Sequence, residues 1–241
     1  GPALVYLPCQ ELPGHEDALR RWAQAYPDIG FGVVLPRVVW DRELPRLRRE
    51  LEAARQAGVT QALLGHIGQL PLARSFGLIP RGDFGLGLTN DETAAELARL
   101  GFASATASFE SRLAQIRDLS KPLDLELLVY GRLPLMLMEH CILRNRGQGC
   151  HCQDKPQSLG DRKGEHFPVE SAWGCRNELF NAKPLWLADK TDWRTAGAAY
   201  ARLAFLREGP GECARVFRAY REGAGEPPRA FTRGLYYRGV E

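Results

Sequence analysis

At 241 residues the chain is long enough to bury a sizeable core, as one large domain or two small ones. Its 44% hydrophobic and 25% charged residues exclude a disordered or low-complexity polymer, and a formal net charge of +3 means that any anionic partner must be met by a local patch. No apolar run approaches bilayer-spanning length and the first residues lack a signal-peptide pattern, so a cytoplasmic location is expected, where disulfides are uncommon.

The chain opens on GPALVYLP, without Met and almost directly in an apolar run, as a piece of something longer or a chain with a cleavage scar at Gly1-Pro2 would, so its true N-terminal boundary is left open. Leu4 to Pro8 reads as a strand, and His15 to Tyr26 as an amphipathic helix with an acidic start. Phe31 to Pro36 is the next strand. The helix in DRELPRLRRELEAARQAG follows, with Gly58 as its C-cap. TQALLGHIG reads as a third strand and GLGLTN, Gly85 to Asn90, as a fourth. The DETAAELARLG helix comes next, capped by Asn90 or Asp91. SATAS gives a weak fifth strand, RLAQIRDL a helix, Leu125 to Gly131 an emphatic sixth strand and Ala201 to Leu206 a seventh. ECARVFRAYREG is then helical.

Strands separated by a helix's worth of residues imply crossovers and a parallel sheet. The expected fold class is therefore α/β, a TIM-barrel-like (β/α) repeat one unit short of eight, with an inserted cysteine-rich lobe. The expected division is 1–132 for the first barrel units, 133–200 for the lobe, and 201–241 for the last strand, its helix and a basic, aromatic tail. GLGLTN holds only a fragment of a dinucleotide loop, and its glycines are read as tight packing.

Four of the six cysteines fall in the lobe: Cys141, Cys150, Cys152 and Cys175, at intervals of eight, one and twenty-two residues between them. Four thiolates can fill a tetrahedral zinc site or the corners of an iron–sulfur cluster, and the glycines of RGQGCHC and WGC suit the loops that would bring them together. The spacing leaves zinc, a cluster and unrelated thiols all open. His140 and His151 could replace a cysteine at zinc. Cys9 and Cys213 stand apart and are read as buried fillers of the core.

The stretches VYGRLPLMLMEHCILRNRGQGCHC, LGDRKGEHFPVE and GCRNELFNAKPLWLADK resemble the cysteine-bearing region of the peptidase U32 family, toward the C-terminal end of its long members. The resemblance extends back through HIGQLPLARSFG, GLTNDETAAELARLG and ASFES, and forward to FTRGLYYRGVE. It implies a barrel holding a four-iron, four-sulfur cluster on Cys141, Cys150, Cys152 and Cys175. It also implies hydroxylation of an RNA base or of the ubiquinone ring, with RNA and a small carboxylate oxygen donor as partners. Where shorter members carry His-Gly after the sixth strand, this chain has Tyr130-Gly131, and Trp186 stands near the position of their late cysteine.

Arg132, Arg144, Arg146, Arg162, Lys163 and Arg176 surround the candidate ligands in sequence and are candidates for binding phosphate or carboxylate. Glu110 and Tyr130, at strand ends, are the catalytic candidates. Asp161 to Glu165 reads as a charged turn buttressing the lobe. Two other readings stay open: a noncatalytic domain with a structural zinc or cluster, and the peptidase that the family name records. The sequence holds no G-x-S-x-G and no H-E-x-x-H to favour the latter.

Overall fold

The computed structural model describes residues 1–142, 144 and 156–239. The chain divides into two compact units, the first comprising 1–108 and 119–125, the second 109–118 and 126–241.

The first unit alternates strands and helices: β1 (Leu4–Pro8), α1 (Glu16–Ala25), β2 (Gly30–Val34), α2 (Leu44–Gln56), β3 (Gln61–Leu64), α3 (Leu70–Ser75), β4 (Ile79–Gly82), α4 (Asp91–Arg99) and β5 (Ser104–Thr106). The strands pair in parallel and in sequence order, β1 to β5, each step crossed by a helix. This is the α/β class with the repeat of a TIM-barrel-like fold. Alternation sorts the strand residues. Phe31, Val33, Ala62, Leu64 and Ala105 are buried on one side, as are Leu47, Leu51 and Ala54 of α2. The register sets Gln61, Arg81 and Ser104 together on the other side. There the buried Arg81 donates to Gln61 and, at 2.8 Å, to the Ser104 hydroxyl.

Local signals agree with the sequence at several ends. The Asn90 carboxamide accepts from Thr93 N at 2.9 Å and caps α4. Gly58 follows α2 at φ +84°, a conformation that suits glycine. The fourth strand is a correction: it lies at Ile79–Gly82, not in GLGLTN. Phe84–Leu86 instead form a 3-10 turn whose first amide is bonded by the Asp83 carboxylate, and only Leu88 bridges to a strand neighbour, Ala107. A Cβ on Gly85 would sit 2.5 Å from the Gly65 carbonyl oxygen, so close backbone approach requires glycine there.

The second unit contains α5 (Leu113–Asp118), most of β6 (Asp124–Gly131), β7 (Pro134–Met138), β8 (Gln157–Gly160), β9 (His166–Ala172), β10 (Arg176–Phe180), β11 (Leu185–Trp186), β12 (Tyr200–Leu203) and α6 (Pro210–Glu222). β12 runs parallel to β6, and the two residues of β11 pair antiparallel with Tyr130 and Gly131. Tyr220 of α6 bolts this core together: its hydroxyl donates to Val129 O at 2.6 Å and accepts from Leu187 N at 2.7 Å. Cys213, expected as a core filler, is only half buried. A separate antiparallel sheet in the order β7-β10-β9-β8 occupies the cysteine-rich segment.

Candidate metal centre

The three-residue loop Trp173-Gly174-Cys175 closes the β9–β10 hairpin above the Arg176–Ala172 pair. Trp173 is buried and anchors it. Gly174 (φ +75°) and Cys175 (φ +64°) both take the left-handed conformation that such a tight loop demands. Among the described residues Cys175 is the one non-glycine with positive φ. That conformation costs an L-residue about 1–2 kcal/mol, so the thiol sits where glycine would be easier. Cys175 is exposed at the loop's tip.

β10 pairs β7 in antiparallel register, Asn177 opposite Met138 and Glu178 opposite Leu137. The next residues along, Arg176 and Glu139, continue the approach of the two segments. Side chains reinforce it. The Arg176 guanidinium, 2% exposed, donates to both Glu139 carboxylate oxygens at 2.5 and 3.1 Å, and to the Trp173 carbonyl at 3.2 Å. The buried Asn177 carboxamide accepts from Ile142 N at 2.8 Å. Glu139 and Ile142 flank Cys141, which is itself buried. The Cys141 segment is thus tied on both sides to the two residues that follow Cys175. Cys150 and Cys152, with Arg146 and His151, lie outside the described residues, and among the described residues no group of three or more metal-ligating side chains gathers.

The remaining candidates lie on other elements. Arg132 donates to the carbonyls of Asn181 and Ala182, securing the exit of β10, and Arg176 is committed to Glu139. Arg144 is exposed. Arg162 and Lys163 are exposed in the β8–β9 turn, where the Asp161 carboxylate accepts from the amides of Lys163 and Glu165 at 2.8 and 2.9 Å. Tyr130, at the end of β6, is buried and donates to Glu208 Oε1 at 2.9 Å. Burial first, and the Glu208 carboxylate second, push its phenol up well beyond the ordinary range, so it stays protonated. Its ring meets those of Trp186, Phe205 and Tyr220. Trp186 Nε1 is a buried donor with no partner among the described residues. Glu110 is exposed in the turn after β5.

Glu139 and Asn177 are the site residues that cysteine counting overlooks. A signal for them is present in the sequence, an acid two residues before Cys141 and Arg-Asn immediately after Cys175, but it has meaning only once β7 and β10 are known to pair.

No protein-family model matches the chain, and no curated protein matches it. Among solved structures it is similar to the U32 peptidase Mk0906, at 17% identity and a TM-score of 0.41 over 54% of this chain and 62% of that one. It is also similar to D-psicose 3-epimerase crystallised in the presence of D-fructose, at 9% identity and a TM-score of 0.35 over 52% of this chain and 63% of that one. The chain spans less than two thirds of either protein, and at these values neither likeness bears on activity.

Proposed function

We propose that the chain is a U32-like domain in which Cys141, Cys150, Cys152 and Cys175 hold a four-iron, four-sulfur cluster that supports hydroxylation of an RNA base. The observation that carries this reading is the double clamp, Arg176 to Glu139 and Asn177 to Ile142, that ties the Cys141 segment to the Cys175 loop. Two thiol-bearing segments fastened to each other, one with its cysteine held in a left-handed loop, fit a donor set better than they fit core filling. When bound, a cluster supplies electron transfer, and its potential rises with nearby positive charge. The protein's own residues supply the frame: Arg176 fixes the hairpin, and Tyr130 offers a neutral hydroxyl held by Glu208.

Reaction and cofactor separate in one experiment. RNA from cells with and without the protein is digested and its nucleosides compared by mass, the expected difference being a base heavier by one oxygen. Identical nucleosides from a strain whose protein carries iron and sulfide would leave a structural cluster and remove the hydroxylase. Zinc in place of iron would favour the noncatalytic domain, and cleavage of a peptide library by the metal-free protein would favour the peptidase.

A further inference from the structure

The basic, aromatic C-terminal tail divides its side chains between two tasks. Tyr236 turns inward, 2% exposed, with its hydroxyl donating to Leu128 O at 2.7 Å and its carbonyl accepting from Leu113 N at 2.9 Å. Thr232 exchanges backbone bonds with Pro184 and Trp186, and Arg233 grips the Asp189 carboxylate with two bonds of 2.5 and 2.6 Å. These contacts fix the tail. Tyr237 and Arg238 are left outside.

Beside them lies an open, largely carbon-lined concavity of about 420 Å³, bounded by Lys190, Thr232, Arg233, Gly234, Tyr237 and Arg238. Three of its six lining residues are cations and none is a carboxylate. Asp189 answers the charge of Arg233, whereas Lys190 and Arg238 are exposed and form no ion pair among the described residues. A second concavity of about 350 Å³ borders Tyr237 too; it adds Arg112 and Arg117, the latter paired with Asp118, together with the Asp192 carboxylate. The Tyr237 ring, 44% exposed, is held by a bond of 2.8 Å from its hydroxyl to Asp192. A cationic, carbon-lined hollow beside a pinned aromatic ring, with a second, mixed-charge hollow across that ring, matches a polymer that alternates anions with flat rings.

We propose that this surface binds single-stranded RNA, with Lys190 and Arg238 meeting backbone phosphates and Tyr237 stacking a base between the two hollows. The choice of RNA among nucleic acids rests on the reading given above; the surface itself does not depend on the cysteines. Single-strand binding on such a surface is salt-dependent, and each stacked base contributes measurably.

The test is fluorescence anisotropy of the whole protein with a labelled uridine oligonucleotide of roughly 12 nucleotides, beside the same RNA as a duplex. Lys190→Glu with Arg238→Glu should weaken binding at least about tenfold and flatten its salt dependence. Tyr237→Ala should weaken it by about tenfold with the salt dependence kept. The control pair Arg48→Glu with Arg49→Glu on α2 makes the same charge change and should shift binding less than about twofold. Equal losses in the two charge-reversed pairs, no loss in Tyr237→Ala, duplex bound as tightly as single strand, or no binding by the unaltered protein would each overturn the proposal. Lys190→Gln with Arg238→Gln serves if the reversal unfolds the protein. Iron content is followed throughout. Absence of RNA binding by the unaltered protein with iron present removes this surface alone, and RNA binding by an unaltered protein that is iron-free even when purified without oxygen removes the cluster alone.

Discussion

The two sheets of this molecule are held by different physics. In the first unit β3 is buried at three of four positions, and α2 contributes Leu47, Leu51 and Ala54 to the same apolar layer. In the cysteine-bearing sheet β7 and β8 have no fully buried residue, and Leu135 and Met136 lie open to solvent. Its cohesion comes from the backbone ladder, Trp173 and Val169, and the polar clamp around Arg176. A sheet that buries so little apolar surface is of the kind that proteins reinforce with a metal or a disulfide. Cys141 and Cys175, the described members of the candidate set, sit in that region and not in the one that already has a core.

This contrast can be broken by substitution. Leu51→Ala should cost about 3 kcal/mol by opening a cavity in the first unit, read as a lowered denaturant midpoint, while iron content stays unchanged. Arg176→Ala should cost about 2 kcal/mol. It removes a buried guanidinium from a carboxylate that is itself half exposed, which discounts the full value for a buried pair. Unlike Leu51→Ala it should also lower iron content, because it unfastens Cys141 from the Cys175 loop. If both variants retain iron equally, the clamp is merely structural.

Cys175→Gly sharpens the comparison because its two effects have opposite signs. Relief of the left-handed strain should leave the metal-free protein unchanged or about 1 kcal/mol more stable, while iron is lost. A metal-free variant less stable than its parent would show that the thiol has a packing role in the loop.

An effect confined to alkaline pH belongs to the first unit. Cys9 is buried and donates to the Glu50 carboxylate at 3.0 Å, and burial, then Glu50, pushes its thiol far above the usual range. A raised folded value favours the folded state while the unfolded thiol is still protonated, and that advantage is lost as pH climbs past about 8.5. Stability should therefore fall from there upward by as much as about 1.4 kcal/mol per pH unit for this group. Cys9→Ala should fall less steeply over the same range, measured by urea midpoints between about pH 8 and 10. Parallel curves would place Cys9 outside the alkaline transition.

Much of the first unit was legible because its signals are local. The apolar spacing of α2, the Asn90 cap and the runs at Leu4 and Phe31 each announce themselves within a few residues. β4 was hidden because Pro80 interrupts a run that otherwise alternates, and GLGLTN looked more like a strand than IPRG does. The lobe was legible only in its residue types. Its pairing of β7 with β10 is set by partners 37 and 35 residues apart, Arg176 with Glu139 and Asn177 with Ile142, and such pairings leave no periodicity. The tail was half readable: its aromatic and basic content stands out, but only the fold separates the buried Tyr236 from the exposed Tyr237.

The most direct test is iron and acid-labile sulfide in protein purified without oxygen, with hydrogen exchange before and after the iron is removed. The account predicts about four of each per chain, their loss when Cys141 and Cys175 are changed to Ser, and a fall in protection on β7 to β10 with β1 to β5 unaffected. Protein that contains neither iron nor sulfide under those conditions, with β7 to β10 already as protected as β2 and β3, would contradict it.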